Sequence, residues 1–171
     1  MGVFISYRLT GKGWSECSVL IEDQQAVVTA SYLSDALGDI LAAATVVLQG
    51  APEATASFAE EPGEYRWRFI RVGMDRLIIR ILEFSQWWGN RPDKEGKLVL
   101  EAECRLRTFA GALRSASQRV LEDHGIDGYR EKWGNNDFPI DQQTRLVLIV
   151  WIPSDGANRV FHGEYAWHPH R

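Results

Sequence analysis

A chain of 171 residues that is 45% hydrophobic can bury a core without disulfides or metal, and it fits one domain spanning residues 1–171. Its 19 Lys and Arg against 23 Asp and Glu give a formal charge of −4, and the basic residues are scattered, which argues against nucleic acid as a partner. The continuous apolar stretches, around Ile40–Leu48 and Leu146–Ile152, are far shorter than the about 20 residues that a bilayer span needs, so no membrane segment is expected.

The N-terminus, Met1-Gly2-Val3-Phe4-Ile5-Ser6-Tyr7-Arg8, lacks the basic, apolar and small-residue regions of a secretory signal, so the mature chain is expected to start there. Phe4–Thr10 and Glu16–Glu22 read as two strands of a hairpin around Gly11-Lys12-Gly13, and Gln25–Thr29 as a third strand. The period then changes. Leu33, Ala36, Leu37, Ile40, Leu41, Ala44, Val47 and Leu48 recur at three- and four-residue steps and predict a helix over 32–49, capped by Ser31 or Ser34 and closed at Gly50. Beyond Pro52 the chain returns to β structure through Thr55, Ser57 and Phe58, and Glu61-Pro62-Gly63-Glu64 predicts a type II turn.

In the next strand Tyr65, Trp67 and Phe69 alternate with Glu64, Arg66 and Arg68, the period of a sheet with one buried face. Val72–Asp75 turns into a strand over Leu77–Phe84, whose far end should return to the Glu64 end of its neighbour. Gln86–Gly96 has turn residues and no period, which predicts a long loop. Lys97–Arg105 is a further strand, and Phe109, Leu113, Ala116, Val120 and Leu121 mark a second helix that Gly125 ends, with a short helical turn at Tyr129–Trp133. Thr144–Ile152 fits either period and is assigned to a strand on its β-branched content, followed by a last strand over Val160–Trp167. The sum is an α+β fold: a mostly antiparallel sheet of six to eight strands with two main helices packed on one face.

No nucleophile elbow, Ser-x-x-Lys pair or phosphate-binding loop is present, so nucleophilic and nucleotide chemistry have no support and no cofactor is expected. Cys17 and Cys104, each isolated in a strand, read as buried structural thiols of a cytoplasmic protein. His124 stands where a cation complements a helix C-terminus. His162, His168 and His170 with Glu164 could assist a metal-dependent reaction, the alternative to a binding role, although their spacing matches no metal site and the terminal ones read as solvated.

Glu60, Glu61 and Glu64 flank the tight turn and read as solvated carboxylates. Trp87 and Trp88 in the long loop fit either an exposed anchor or a clamp onto the core. These residues with Asp93 form the candidate partner-binding set, an apolar anchor rimmed by acid that speeds encounter with a basic protein.

Ser31-Tyr32-Leu33-Ser34-Asp35-Ala36-Leu37-Gly38-Asp39, Glu60-Glu61-Pro62-Gly63-Glu64-Tyr65-Arg66-Trp67 and Gly128-Tyr129-Arg130-Glu131-Lys132-Trp133-Gly134 carry a family resemblance. The chain resembles uncharacterised small bacterial proteins, mainly actinobacterial, that look like immunity partners in polymorphic toxin systems. The resemblance spans about residues 1–135 and implies no enzyme activity, cofactor or catalytic residue; it implies an immunity or other partner-binding role, and together with the acidic balance, which suits a basic partner, the expectation is a protein that neutralises a toxin, a basic toxin domain, by stoichiometric binding.

Overall fold

The computed structural model describes residues 2–86, 90–134 and 136–151. Seven strands form two antiparallel meanders in place of the single sheet expected. β1 (Val3–Gly11), β2 (Trp14–Ile21) and β3 (Gln24–Ser31) make sheet A; β4 (Glu53–Ala59), β5 (Glu64–Val72), β6 (Arg76–Phe84) and β7 (Lys97–Arg105) make sheet B. Glu64 pairs with Phe84, so the two strand ends meet as the antiparallel reading required.

Each sheet turns one face inward. Ile5, Tyr7, Cys17, Val19 and Val28 of sheet A share one core with Phe58, Trp67, Phe69, Ile79 and Ile81 of sheet B. Tyr7 meets Phe58 edge-on at 6.3 Å between ring centroids, and Phe58 lies 5.5 Å from Trp67, so an aromatic seam runs from one sheet into the other.

α1 (Ala36–Leu48) buries Leu37, Ile40, Leu41, Ala44 and Val47, the stripe seen in the sequence, and packs along β4. Its cap is Asp35, which accepts from the Gly38 N–H at 3.2 Å; Ser34 instead accepts from the Ala59 N–H at 3.0 Å and clips the helix start to β4. Likewise the turn after β4 is not type II. It closes through the Glu60 N–H to the Gly63 carbonyl at 2.7 Å, with a cis Glu61–Pro62 peptide.

α2 (Leu106–Trp133) packs along β1 and joins sheet B through Phe109, whose ring meets Phe69 edge-on at 5.6 Å. Gly125, with φ 65° and ψ −179°, breaks it into two helical segments at a kink. The first segment ends at the expected glycine, and the second runs on through Tyr129–Trp133. The residues assigned to a strand from Thr144 lie in α3 (Ile140–Trp151), a third helix. Leu146 is buried and Gln143 donates to Ser117 Oγ at 3.3 Å, so packing of one helical stripe against α1 and α2 overrides the β-branched content. Residues 152–171, including the last strand expected, lie outside the described residues.

The Gly125 backbone occupies a region that essentially only glycine populates. Gly125→Ala is expected to cost about 1–3 kcal/mol of stability, read from urea denaturation, without loss of the native fold.

Candidate functional site

The outer face of sheet B is built by the alternation in β5. With Trp67 and Phe69 turned inward, Glu64, Arg66 and Arg68 point outward. Arg66 is nearly buried there, with its guanidinium carbon 4.2 Å from the centre of the Phe84 ring. It pairs with Glu64 at 3.2 Å and with Asp93 at 3.0 Å, and donates to the Arg91 carbonyl at 2.6 Å. Asp93 also reaches Arg68 at 3.1 Å, and Ser57 donates to Glu64 at 3.0 Å. Burial opposes the charge on Arg66, but the hydrogen bonds it donates to Glu64 and Asp93 hold its proton above the ordinary arginine range.

This cluster pins the long loop to the strand beneath it. Gly96 lies against Phe84 so closely that a β-carbon would come within 2.7 Å of its ring, which leaves no room for a side chain as the loop returns to β7.

Glu64 thus corrects the expectation of a wet turn carboxylate: it is 7% exposed and spent on Arg66. Asp93 is shared between two arginines, while Glu61 is exposed and half-buried Glu60 accepts from Thr29 of β3 at 2.5 Å. Trp87 and Trp88 lie outside the described residues, as do His162, Glu164, His168 and His170. Among the described residues no His, Cys, Asp and Glu side chains gather as a metal site, and no helix is long and apolar enough to cross a membrane.

The groups best suited to chemistry are held by the fold. Burial pushes the Cys17 thiol up to about 12, and burial, against the pull of Arg76, does the same to Cys104, so both stay protonated and unreactive at neutral pH. Tyr7 and Tyr129 are raised by burial and keep their protons. Asp39 is raised to about 6 by burial and by the carboxylate of Asp35, opposed by a hydrogen bond from the Ser57 backbone. It ties α1 to β4. A shallow groove of about 270 Å³ lies between the loop and β6–β7, lined by Arg80, Leu82, Asp93, Lys94, Leu98 and Glu101; Arg80 and Glu101 pair with each other across it.

A second surface was missed in the sequence. The outer face of sheet A exposes Phe4 (53%), Leu20 (39%) and Val27 (59%). Its signal is present in the chain: Val3-Phe4-Ile5, Val19-Leu20-Ile21 and Ala26-Val27-Val28 are apolar triplets, and in a strand the middle residue of a triplet must face away from its neighbours.

No protein-family model matches the chain, and no curated protein matches it. Among solved structures, the chain is similar to the CdiA-CT/CdiI toxin and immunity complex from Enterobacter cloacae, with 12% identity, a TM-score of 0.44, and coverage of 68% of this chain and 98% of that one.

Removing Arg66 strands Glu64 in a buried position without a cation. Arg66→Ala is expected to cost about 3 kcal/mol, and adding Glu64→Gln to recover part of that loss; urea denaturation of the single and double variants measures both. For Asp39, a folded-state pKa near 6 against 3.8 means that the fold favours the protonated form. The stability it contributes is complete below pH 3.8 and is lost as pH rises through 6. Asp39→Asn is expected to melt above wild type at pH 7.5 and together with it at pH 3.5.

Proposed function

We propose that this chain is a non-enzymatic partner-binding protein of the bacterial cytoplasm, an immunity protein that neutralises a basic toxin domain by occupying it stoichiometrically. The observation that carries the reading is the convergence at one end of sheet B: the acidic Glu60–Glu64 turn and the loop leading to Asp93 stand side by side through the Glu64–Phe84 pairing and the Arg66 cluster. The loop segment at Arg91–Asp93 is tied to β5 through the Arg91 carbonyl and through ion pairs of Asp93 with Arg66 and Arg68, which lowers the ordering cost of a contact made there.

In this reading Trp87 and Trp88 supply the anchor, and Glu60 and Glu61 the field that steers a cationic partner. Glu64 and Asp93 act through Arg66 by holding the loop in place, and Asp93 keeps an exposed edge toward the partner. The buried, protonated thiols favour binding over nucleophilic catalysis.

The neighbouring gene provides the first test: it is expected to encode a large secreted protein with a variable C-terminal toxin domain. Co-expression with that domain should then protect cells, and failure to protect removes the reading. Truncating Trp87 and Trp88 to Ala is expected to weaken binding of the purified toxin domain by about 2 kcal/mol or more for the dominant residue, with little change in melting temperature. Unfolding of the variant with unchanged binding by its folded fraction would instead make the pair core packing. Charge reversal at Glu61 should slow association and flatten its salt dependence.

A further inference from the structure

We propose that the open outer face of sheet A is the apolar centre of the partner-binding surface and that it takes a cationic protein face. This rests on the partner-binding reading above and extends its surface to residues that reading does not use.

Register places the exposed side chains together. Phe4 and Leu20 are directly opposed across β1 and β2, and Val27, opposite Ser18, sits diagonally from Leu20 on β3. The other face of the same strands is core, and on the outer face these three stand among Ser6, Ser18, Gln25 and Thr29. Antiparallel sheets with one wet face ordinarily carry polar residues there. Here three large apolar side chains are exposed on that face, with α2 running beside β1 and its Arg119 guanidinium 6.0 Å from the centre of the Phe4 ring. A contiguous apolar patch of this kind marks a contact surface.

Charge identifies what would cover it. Within the face, Glu16 is neutralised by Arg8. The carboxylates at the rim are not: Asp23, at the β2–β3 turn, accepts from the Gln24 amide at 3.3 Å, and Glu60, at the opposite end, accepts from the Thr29 hydroxyl at 2.5 Å. Among the described residues neither carries an ion pair, and nor does Glu61 beside Glu60. The Thr29–Glu60 bond also makes the acidic turn continuous with the face, since Thr29 is on its outer side, in register with Glu16. An apolar centre bounded at both ends by uncompensated carboxylates complements a partner with an apolar strip between basic residues, as a basic toxin domain would present.

The test uses the full chain and the toxin domain encoded beside it, with binding measured by calorimetry and by association kinetics at two salt concentrations. Val27→Asp is expected to weaken binding about tenfold or more, and Val27→Thr, which keeps the β-branched shape, by a smaller factor, both with native melting temperatures. Asp23→Lys should slow association and reduce its salt dependence. Wild-type binding that all three variants leave unchanged overturns the proposed surface and leaves the immunity reading standing. No binding by wild type overturns both. A concentration-dependent wild-type dimer that Val27→Asp dissociates, without effect on toxin binding, makes a second copy the occupant and overturns the cationic partner.

Discussion

A guanidinium taken out of water needs acceptors for its charge, and at Arg66 the structure supplies them from three directions. Glu64 comes from the same strand, Asp93 and the Arg91 carbonyl from the loop, and the Phe84 ring from the strand beside it. The loop segment carrying Arg91 and Asp93 is therefore part of the outer layer of sheet B, because lifting it would take two of the acceptors away from Arg66. The antiparallel Glu64–Phe84 register brings the turn and the loop to the same end of the sheet, the Arg66 cluster ties them there, and the Thr29 hydroxyl joins Glu60 of the turn to β3.

Much of the local architecture was legible because it is written in periods. The alternation in Tyr65–Phe69 and the stripe Leu37–Ile40–Leu41–Ala44–Val47 each have one buried face, and burial is what periodicity reports. The cap of α1 was displaced by one residue. Ser34 has the right chemistry, but its hydroxyl serves the Ala59 N–H, and Asp35 takes the helix end. α3 is assigned to a strand on the β-branched Val147, Ile149 and Val150, although Ile140, Thr144, Val147 and Leu148 also fall at helical spacing; contact with α1 and α2 decides between the two periods.

The candidate site was legible only in part, for an electrostatic reason. A sequence shows that Glu60, Glu61 and Glu64 are close together but not which of them has a cation across the sheet. Glu64 has Arg66, and Glu61 has none among the described residues. The exposed Phe4, Leu20 and Val27 were hidden for the opposite reason: an apolar residue inside an apolar triplet looks like core until the pleat assigns it a side.

Every strand pair in the described residues joins consecutive strands, so each sheet is an uninterrupted meander. Apart from the long loop between β6 and β7 each meander closes short turns, and the most distant parts of the chain meet along the Tyr7–Phe58–Trp67 seam and where α2 packs on β1. Because one hydrophobic core spans both sheets, neither sheet's inner face is shielded without the other, and the aromatic seam is where each covers the other.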